Sequence, residues 1–549
     1  MAIAYSPSPS SISASSCYSR SNPARLIRFP SNTGTVTCLK QHPARFSMSS
    51  CFNSSKPSGT GGSVSPDEED IKYELQHRFS PPQRRKGAPV FVKLPLDALS
   101  LMGRTAGRKK LRMSMKALAA AGVEGVVVDV WWGNVEKDAP GNYDWRAYWD
   151  IVVMARDCKL KVRAVLAFHQ CGTGPGDSYW ISLPRWVCAE MDKNPDLAYC
   201  DRFGRRNREY ISLGCDILPV LEGRSPVQTY SDFMRNFRDT FREFLGVIIT
   251  EIQVGMGPAG ELRYPSSPSQ KLTWSWRSYE LGEFQCYDKY MLSYLSARAQ
   301  NVGIKKWGTG GLVRSGSLTQ KPEETDFFNS NGAWRTAYGH FFLEWYSGML
   351  LLHGERLCMA AETIFHGTGV NLSAKVAGLF WHYHTRSHPS ELTAGYYNTS
   401  ARDGYLPIIS MFGRHGITLC CACFELLDQK EKKLNPTSSP EGFLKQLVLA
   451  AKACDVPLEG ETSDSRIDDE SLKNVLEMMM LYSDGLTDPS ISFNFSRMNA
   501  SLYESRNWIR FSNFVQHMSN VNDFQAKMNF TGDPPFISSV LASEAFAYW

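Results

Sequence analysis

The first 66 residues of the chain lack aspartate and glutamate entirely, although the whole chain has 55 acidic residues against 60 lysines and arginines. The same segment is rich in serine, carries scattered basic residues and shows no hydrophobic periodicity. This is the composition of a plastid transit peptide, and an ordinary disordered tail is the alternative. We therefore expect residues 1–66 to be a transit peptide and disordered leader, residues 67–87 to be a polar linker, and the protein to reside in the chloroplast stroma.

Long apolar runs and dense basic blocks are also missing. No stretch approaches the roughly 20 apolar residues that a bilayer-spanning helix needs. The formal net charge is only +5, without a basic block in the body of the chain. The sequence therefore predicts neither a membrane nor a nucleic-acid partner.

The cysteines lack the spacing of a disulfide framework or a zinc site. Of the 14 cysteines, Cys420, Cys421 and Cys423 form the one cluster. A zinc site would need a second closely spaced cysteine pair or suitably placed histidines, and the sequence has neither nearby. We expect buried free thiols, no metal site and no organic cofactor.

Beyond the linker, apolar runs alternate with segments of helical periodicity. The runs are rich in β-branched residues and apolar on both faces, as a buried parallel sheet requires. They span residues 89–97, 124–133, 161–172, 246–254, 374–384, 417–425, 456–461 and 491–499, and the first of them is a short strand that ends in a Leu-Pro-Leu-Asp turn. We predict a single α/β domain, a (β/α)₈ barrel of the TIM type with long βα loops over residues 88–521, followed by a C-terminal tail, 522–549. A doubly wound sheet is the alternative, but no GxGxxG turn or P-loop follows any strand.

Polar residues at the carboxyl ends of barrel strands converge on one face, where active sites lie. Here they are Asp129, His169, Glu261, Lys375, Glu425, Glu461 and Arg497. Glu261 stands in GMGPAGELRYP after an apolar run, and Glu461 ends VPLEGE. Taken alone, a glutamate beside an arginine is usually a loop ion pair. Two carboxylates in one cleft, however, suit glycosidic cleavage, in which one protonates the leaving oxygen and the other activates water or attacks the sugar.

Several long motifs point further. They are GVEGVVVDVWWG, FHQCG, GRRNREYISLGCD, GMGPAGELRYPS, GEFQCYDKY and RSHPSELTAGYYNTSARDGYLP. Through them, from about Val90 to about Met518, the chain resembles the plant β-amylases of the plastidial branch. The resemblance implies a barrel whose loops bind the non-reducing end of a starch-like α-1,4-glucan or maltodextrin and release maltose with inversion, without a metal or cofactor.

The resemblance also implies residue roles. Glu261 matches the general acid of the family and Glu461 its general base. Asp129 and His169 match residues that bind the terminal glucose, and Asp177 matches an acidic residue of the loop that closes over substrate. Lys375 and Arg497 match two further positions that contact the substrate in the family.

The chain departs from the family pattern around this pocket. Ala422 replaces a threonine, Thr462 and Ser463 replace an Asn-Ala pair, and Phe380 replaces a histidine. Losing a transition-state hydrogen bond costs about 2.7–4 kcal/mol. Two hypotheses follow: a working β-amylase with reduced activity, or a catalytically inactive homologue that binds glucan or regulates starch breakdown. A barrel enzyme of different chemistry is a third, which the retained glucan motifs oppose.

The leader is tested by fusing residues 1–66 to a fluorescent protein and expressing the fusion in leaf cells. Because its composition is that of a transit peptide, the fusion is expected inside chloroplasts. The unfused fluorescent protein is the control. Fluorescence confined to the cytosol would contradict the prediction.

Overall fold

The computed structural model describes residues 87–172, 174, 177, 179–266, 281–310, 316, 320–463, 467–484, 490–519, 532 and 534–549. The predicted leader lies outside these residues. The predicted linker also lies outside them, except for Gly87, and so does a part of the predicted tail.

Eight parallel strands close into a barrel, which confirms the predicted architecture. Around the barrel the strand order is β1, β10, β9, β8, β7, β6, β3, β2, while β4 and β5 form a separate antiparallel hairpin that the sequence reading missed. The strands are β1 (Val90–Lys93), β2 (Gly125–Trp131), β3 (Lys161–Ala167), β4 (Ala198–Cys200), β5 (Arg206–Ile211), β6 (Ile249–Val254), β7 (Asn371–Val376), β8 (Ile417–Cys421), β9 (Leu458–Glu461) and β10 (Ile491–Arg497).

One predicted strand was wrong in its extent. The apolar run 374–384 was expected to be strand throughout, but β7 ends at Val376. The next backbone N–H, that of Ala377, donates to the Tyr396 hydroxyl rather than to a neighbouring strand. Phe380 and Trp381, farther along the run, are buried although they lie in a loop. The run is apolar because the loop itself is buried, so Phe380 belongs to a βα loop.

Helices follow the strands, as the predicted alternation of apolar runs with segments of helical periodicity requires. None of the helices within the described ranges is long and apolar enough to cross a membrane. The helices are α1 (Ala98–Met102), α2 (Thr105–Ala120), α3 (Trp132–Val135), α4 (Arg146–Asp157), α5 (Arg185–Lys193), α6 (Pro226–Thr240), α7 (Lys289–Asn301), α8 (Ala337–Phe365), α9 (Pro389–Ala394), α10 (Leu406–Arg414), α11 (Asp428–Glu431), α12 (Pro440–Ala453), α13 (Asp469–Ser483), α14 (Ser505–Ser519) and α15 (Phe536–Phe546).

The segment predicted as a tail contains helix α15, which the sequence reading missed. The chain end after this helix contacts α2, because the Trp549 indole N–H donates to the Ser114 hydroxyl at 3.0 Å. The Lys110 ammonium lies 3.5 Å from the centre of a Trp549 ring, a cation–π contact. The last residues therefore pack on the outer helical layer.

Each of the eleven cysteines that the structure describes is a free thiol, and all but Cys188 and Cys454 are buried. This agrees with the expectation of buried free thiols for that part of the chain. Burial raises the pKa of Cys420 and Cys421, so both are thiols rather than thiolates at neutral pH.

A buried ionic layer crosses the barrel interior below its carboxyl-end mouth. The Arg163 guanidinium lies 2.9 Å from Glu459 and 3.3 Å from Glu251. It also donates to the Asn494 side chain at 2.8 Å. Burial outweighs the nearby arginine and raises the pKa of Glu459 well above its usual range. One cation thus ties together β3, β6, β9 and β10, and its removal would leave two acidic side chains without their shared partner.

Arg163→Ala should therefore lower the free energy of unfolding by about 3–5 kcal/mol, the usual effect of removing one partner of a buried ion pair. Urea unfolding followed by tryptophan fluorescence measures it. The matched control is Arg146→Ala, since the Arg146 side chain is 90% exposed where it pairs with Asp144; it should change stability by less than about 1 kcal/mol. Equal losses in both variants would contradict the expectation.

Candidate active site

The two predicted catalytic glutamates lie in the same mouth of the barrel and approach the same ammonium group. The Lys375 Nζ atom lies 2.6 Å from Glu461 Oε1 and 3.9 Å from Glu261 Oε1. Glu461 is the last residue of β9, and Lys375 lies near the end of β7. Both carboxylates are buried. A single cation therefore stands between two acidic side chains that come from different parts of the chain.

The glycine-rich segment after β6 brings Glu261 back to the barrel wall. Gly260 has φ of 75°, a conformation that suits glycine. A side chain on Gly257 would start 2.5 Å from the Glu261 carbonyl oxygen. After this turn Glu261 forms a bridge with Lys375 of β7, and the Leu262 N–H donates to the Lys375 carbonyl at 2.9 Å. The turn thus positions Glu261 beside β7.

The ion pair expected between Glu261 and Arg263 is present, but it is buried. The Arg263 Nε donates to Glu261 Oε2 at 2.7 Å. The same guanidinium donates to the Tyr264 carbonyl at 3.2 Å. Arg263 therefore holds one oxygen of Glu261, while the other faces Lys375.

Glu461 is surrounded by cations. Its Oε1 lies 2.5 Å from the Lys93 Nζ as well as 2.6 Å from that of Lys375. Its Oε2 accepts a weak contact from the Cys420 thiol at 3.8 Å. Burial alone would raise the pKa of Glu461, but Lys375 and Lys93 outweigh it and lower the pKa to about 2. Glu461 is therefore a carboxylate at any physiological pH.

The sequence reading missed Lys93. It expected a short apolar strand that ends in a Leu-Pro-Leu-Asp turn, and β1 does end at Lys93, but Lys93 was not counted among the polar residues at the strand ends. The available signal was a lysine inside an otherwise apolar run, VFVKLPL. Lysine is seldom buried unless it is paired, so its partner had to be an acidic group at the barrel mouth.

Asp129, His169 and Arg497 are gathered on the neighbouring wall of the mouth. The Arg497 Nη1 lies 2.5 Å from Asp129 Oδ2. The His169 ring packs edge-on against Trp131, with centroids 5.2 Å apart. Burial, reinforced by Arg263, Lys375 and Arg497, lowers the pKa of His169 to about 3, so its imidazole is neutral. Its Nδ1 is buried and has no hydrogen-bond partner among the described residues, which leaves it available to a ligand hydroxyl.

The loop residues flank these groups in different ways. Ala422 comes directly after β8, and Thr462 comes directly after β9, where its N–H donates to the Asn494 carbonyl at 3.2 Å. The Thr462 hydroxyl is buried without a partner in the described part of the chain. Ser463 donates its N–H to Glu425 at 2.8 Å and its hydroxyl to the Cys423 sulfur at 3.1 Å. Glu425, which the sequence placed at a strand end, thus anchors the loop after β9.

Asp177 and Phe380 have other neighbours. The Asp177 side chain lies beside Gly172, since a Cβ on that glycine would lie 3.1 Å from Asp177 Oδ2. Phe380 packs against Trp381, and its carbonyl accepts the Ser439 N–H at 3.0 Å, just before helix α12. Within the described ranges, no three His, Cys, Asp or Glu side chains cluster closely enough to hold a metal ion. The chemistry available at the mouth is therefore that of paired carboxylates, buried cations and a neutral imidazole.

The chain matches the family described as glycosyl hydrolase family 14 over residues 91–523. It is 50% identical over 443 residues to beta-amylase 1, chloroplastic, of Arabidopsis thaliana, covering 80% of this chain and 76% of that protein. It is also 50% identical over 439 residues to beta-amylase 1, chloroplastic, of Oryza sativa subsp. japonica, covering 79% and 81%. The catalytic domain of beta-amylase from Paenibacillus polymyxa, at 24% identity, aligns with a TM-score of 0.61 over 83% of this chain and 98% of that one, which supports the fold.

The ion pairs of Glu461 predict how stability depends on pH. Its pKa is about 2 when folded and near 4.5 otherwise, so this contribution is complete above pH 4.5 and is lost as pH falls toward 2. The loss amounts to about 3 kcal/mol. Glu461→Gln cannot titrate, so its free energy of unfolding should fall less between these two pH values. The exposed Glu243→Gln is the control and should follow the parent protein; identical pH slopes in all three proteins would contradict the prediction.

Proposed function

The chain belongs to glycosyl hydrolase family 14, and we propose that it hydrolyses α-1,4-glucosidic bonds of starch-type polysaccharide, releasing maltose from non-reducing ends with inversion. The observation that carries the proposal is the pair of buried glutamates, Glu261 and Glu461, that approach one ammonium group at the carboxyl-end mouth of the barrel. Active sites of this barrel architecture lie at that end.

In the proposed reaction Glu261 is the general acid and Glu461 the general base. Glu261 gives its proton to the glycosidic oxygen as the bond from that oxygen to the anomeric carbon breaks. Glu461 takes a proton from water while the water oxygen bonds to the same carbon from the opposite face. Displacement from the opposite face inverts the configuration, and the two carboxyl groups later exchange protons with solvent to restore the starting state.

The remaining pocket residues are proposed to bind the glucan. Asp129 and Arg497 form a fixed ion pair whose free lone pairs and N–H groups suit sugar hydroxyls. The neutral His169 and the Thr462 hydroxyl each bring a buried polar atom without a partner in the described chain, and a sugar hydroxyl would satisfy both. The proposed substrate-binding set is Asp129, His169, Asp177, Lys375, Phe380, Ala422, Thr462, Ser463 and Arg497.

The composition of the leader and the names of the relatives agree on location. The first 66 residues have transit-peptide composition, and the two relatives from Arabidopsis thaliana and Oryza sativa are both named chloroplastic. The chain is therefore assigned to the chloroplast, and we propose the stroma as its compartment there. Residues 88–521 are proposed as its catalytic-type domain.

A non-catalytic glucan-binding role is the second candidate, and one observation favours it. Glu461 Oε1 is shared by two lysines, and its pKa of about 2 makes the carboxylate a weak base. A general base works best with a pKa near the working pH. Glucan binding without maltose release would favour this role.

The decisive measurement is maltose release by the full chain from maltopentaose, with the anomer followed by proton NMR. The parent protein should release β-maltose, as inversion of an α-linkage requires. Glu261→Gln should lower kcat by roughly 10²–10⁴, the usual contribution of a general acid. The exposed Glu243→Gln is the matched control and should act like the parent. Absence of hydrolysis by the parent at high enzyme concentration would contradict the proposed function.

A further inference from the structure

The proposed general base has more cations than it needs for its burial. Lys375 alone gives Glu461 a charged hydrogen bond at 2.6 Å and also approaches Glu261. Lys93, from the opposite side of β9 along the barrel wall, adds a second ammonium at 2.5 Å on the same oxygen, Oε1. Both lysine side chains are largely buried, with 13% of Lys93 and 12% of Lys375 exposed.

Burial and charge act differently on the two lysines. Burial lowers the pKa of Lys93, and nearby Lys375 and Arg497 lower it further, while Glu461 opposes them. For Lys375, the carboxylates of Glu461 and Glu261 together outweigh burial, and its pKa is raised. Lys375 is therefore the cation that the two carboxylates require, and Lys93 is the additional one.

The other charged or titratable groups near Glu461 come from the strands around it and do not replace this pairing. Cys420 of β8 faces Oε2 at 3.8 Å. Glu459 lies two residues before Glu461 in β9, farther from the mouth, and pairs with Arg163. The titratable or charged groups that interact with Glu461 or its lysines are Asp129, His169, Glu261, Cys420, Cys421, Cys423, Glu459 and Arg497.

A general base must offer a lone pair to the attacking water. Oε1 of Glu461 already accepts two ammonium groups, and an oxygen of a carboxylate has about two lone-pair sites. Oε2 is therefore the oxygen left for water. It belongs to a carboxylate whose negative charge is stabilised by two cations, Lys93 and Lys375. Proton transfer to this carboxylate would also bring a neutral acid against two buried ammonium groups, and so it would abolish two ion pairs at once.

We propose that Lys93 restrains turnover by holding the general base Glu461 in an ion pair, so that this lysine, a positioning residue, sets how fast the chain hydrolyses glucan. The inference rests on the proposed function and extends it, because it assigns control of the hydrolysis rate to one side chain outside the predicted set. Removing the Lys93 charge leaves Glu461 paired with Lys375, which is enough to keep the carboxylate ionised and oriented.

The fold should tolerate loss of the Lys93 ammonium. The backbone of Lys93 is fixed independently of its side chain, because its carbonyl accepts the Met498 N–H at 2.8 Å and the residue pairs with Val127 and Arg497 on the adjacent strands. Methionine has a similar length without the charge, so Lys93→Met keeps the volume of the side chain. Removing Lys93 also leaves no carboxylate unpaired, unlike the removal of Lys375.

The test compares Lys93→Met and Lys93→Arg with the parent, all as full chains, for β-maltose release from maltopentaose across pH 4 to 9. Lys161→Met is the matched control. Lys161 is also a lysine of a barrel strand, but it is the first residue of β3, at the amino end of that strand, and its ammonium donates to the Val247 carbonyl. We expect Lys93→Met to raise kcat by about tenfold and to move the acidic limb of the pH profile upward, because a stronger base transfers protons faster near its own pKa. Lys93→Arg keeps the charge and should stay close to the parent, as should Lys161→Met.

A second measurement does not depend on activity. Carbon-13 NMR of glutamate labelled at the side-chain carboxyl carbon, with the Glu461 signal assigned by Glu461→Gln, gives the titration of this carboxyl directly. Losing one nearby cation should raise its pKa by about 1 to 3.

The outcomes are distinct. A kcat and a Glu461 titration in Lys93→Met that equal those of the parent would overturn the inference while leaving the proposed hydrolysis intact. A lower kcat in Lys93→Met, with Lys161→Met unchanged, would also overturn it, since Lys93 would then assist the reaction. Absence of hydrolysis by every variant would overturn the proposed function and the claim about turnover together. Maltose release by Lys93→Met alone would overturn the proposed function of the parent chain and support the restraint by Lys93.

Discussion

Burying a carboxylate in the mouth of this barrel requires a cation within contact distance, and much of the local structure follows from that requirement. An isolated buried charge is costly, whereas a paired and hydrogen-bonded one is tolerated. Glu461 on β9 meets this need with Lys93 from β1 and Lys375 from β7, and Glu261 meets it with Lys375 and Arg263. The resulting chain of contacts joins strands that are far apart in the sequence.

The same requirement operates one layer deeper. Arg163 pairs with Glu251 and Glu459 inside the barrel, where all three side chains are buried. Because Glu459 and Glu461 lie two residues apart, on the same face of β9, one strand contributes an acidic group to each layer. The two layers therefore share their charge balance, and a change in one layer alters the electrostatic environment of the other.

The fold could be predicted from the sequence more completely than the candidate site. Eight apolar runs with intervening helical periodicity were enough for the barrel, because parallel strands covered on both faces must be apolar throughout. Strand ends were harder to predict, since composition does not distinguish a buried loop from a strand: the run through Phe380 was expected to be strand throughout, but it continues past the end of β7. The gathering of Glu261, Glu461 and Lys375 was within reach of strand-end reasoning. The contact between Lys93 and Glu461 was not, because it depends on barrel closure between residues separated by most of the chain.

The position of Lys93 also bears on how activity is set in a site of this kind. Ion pairing offsets the free-energy cost of burying a carboxylate, but it also weakens that carboxylate as a base, since every cation that stabilises the ionised form opposes its protonation. A site with both glutamates intact can therefore differ greatly in rate according to the number of ammonium groups that share the base. On this view the catalytic glutamates alone do not determine turnover in this chain. The second cation, more than the exchange of loop side chains such as Ala422 and Thr462, contacts the carboxylate that is proposed to accept the proton.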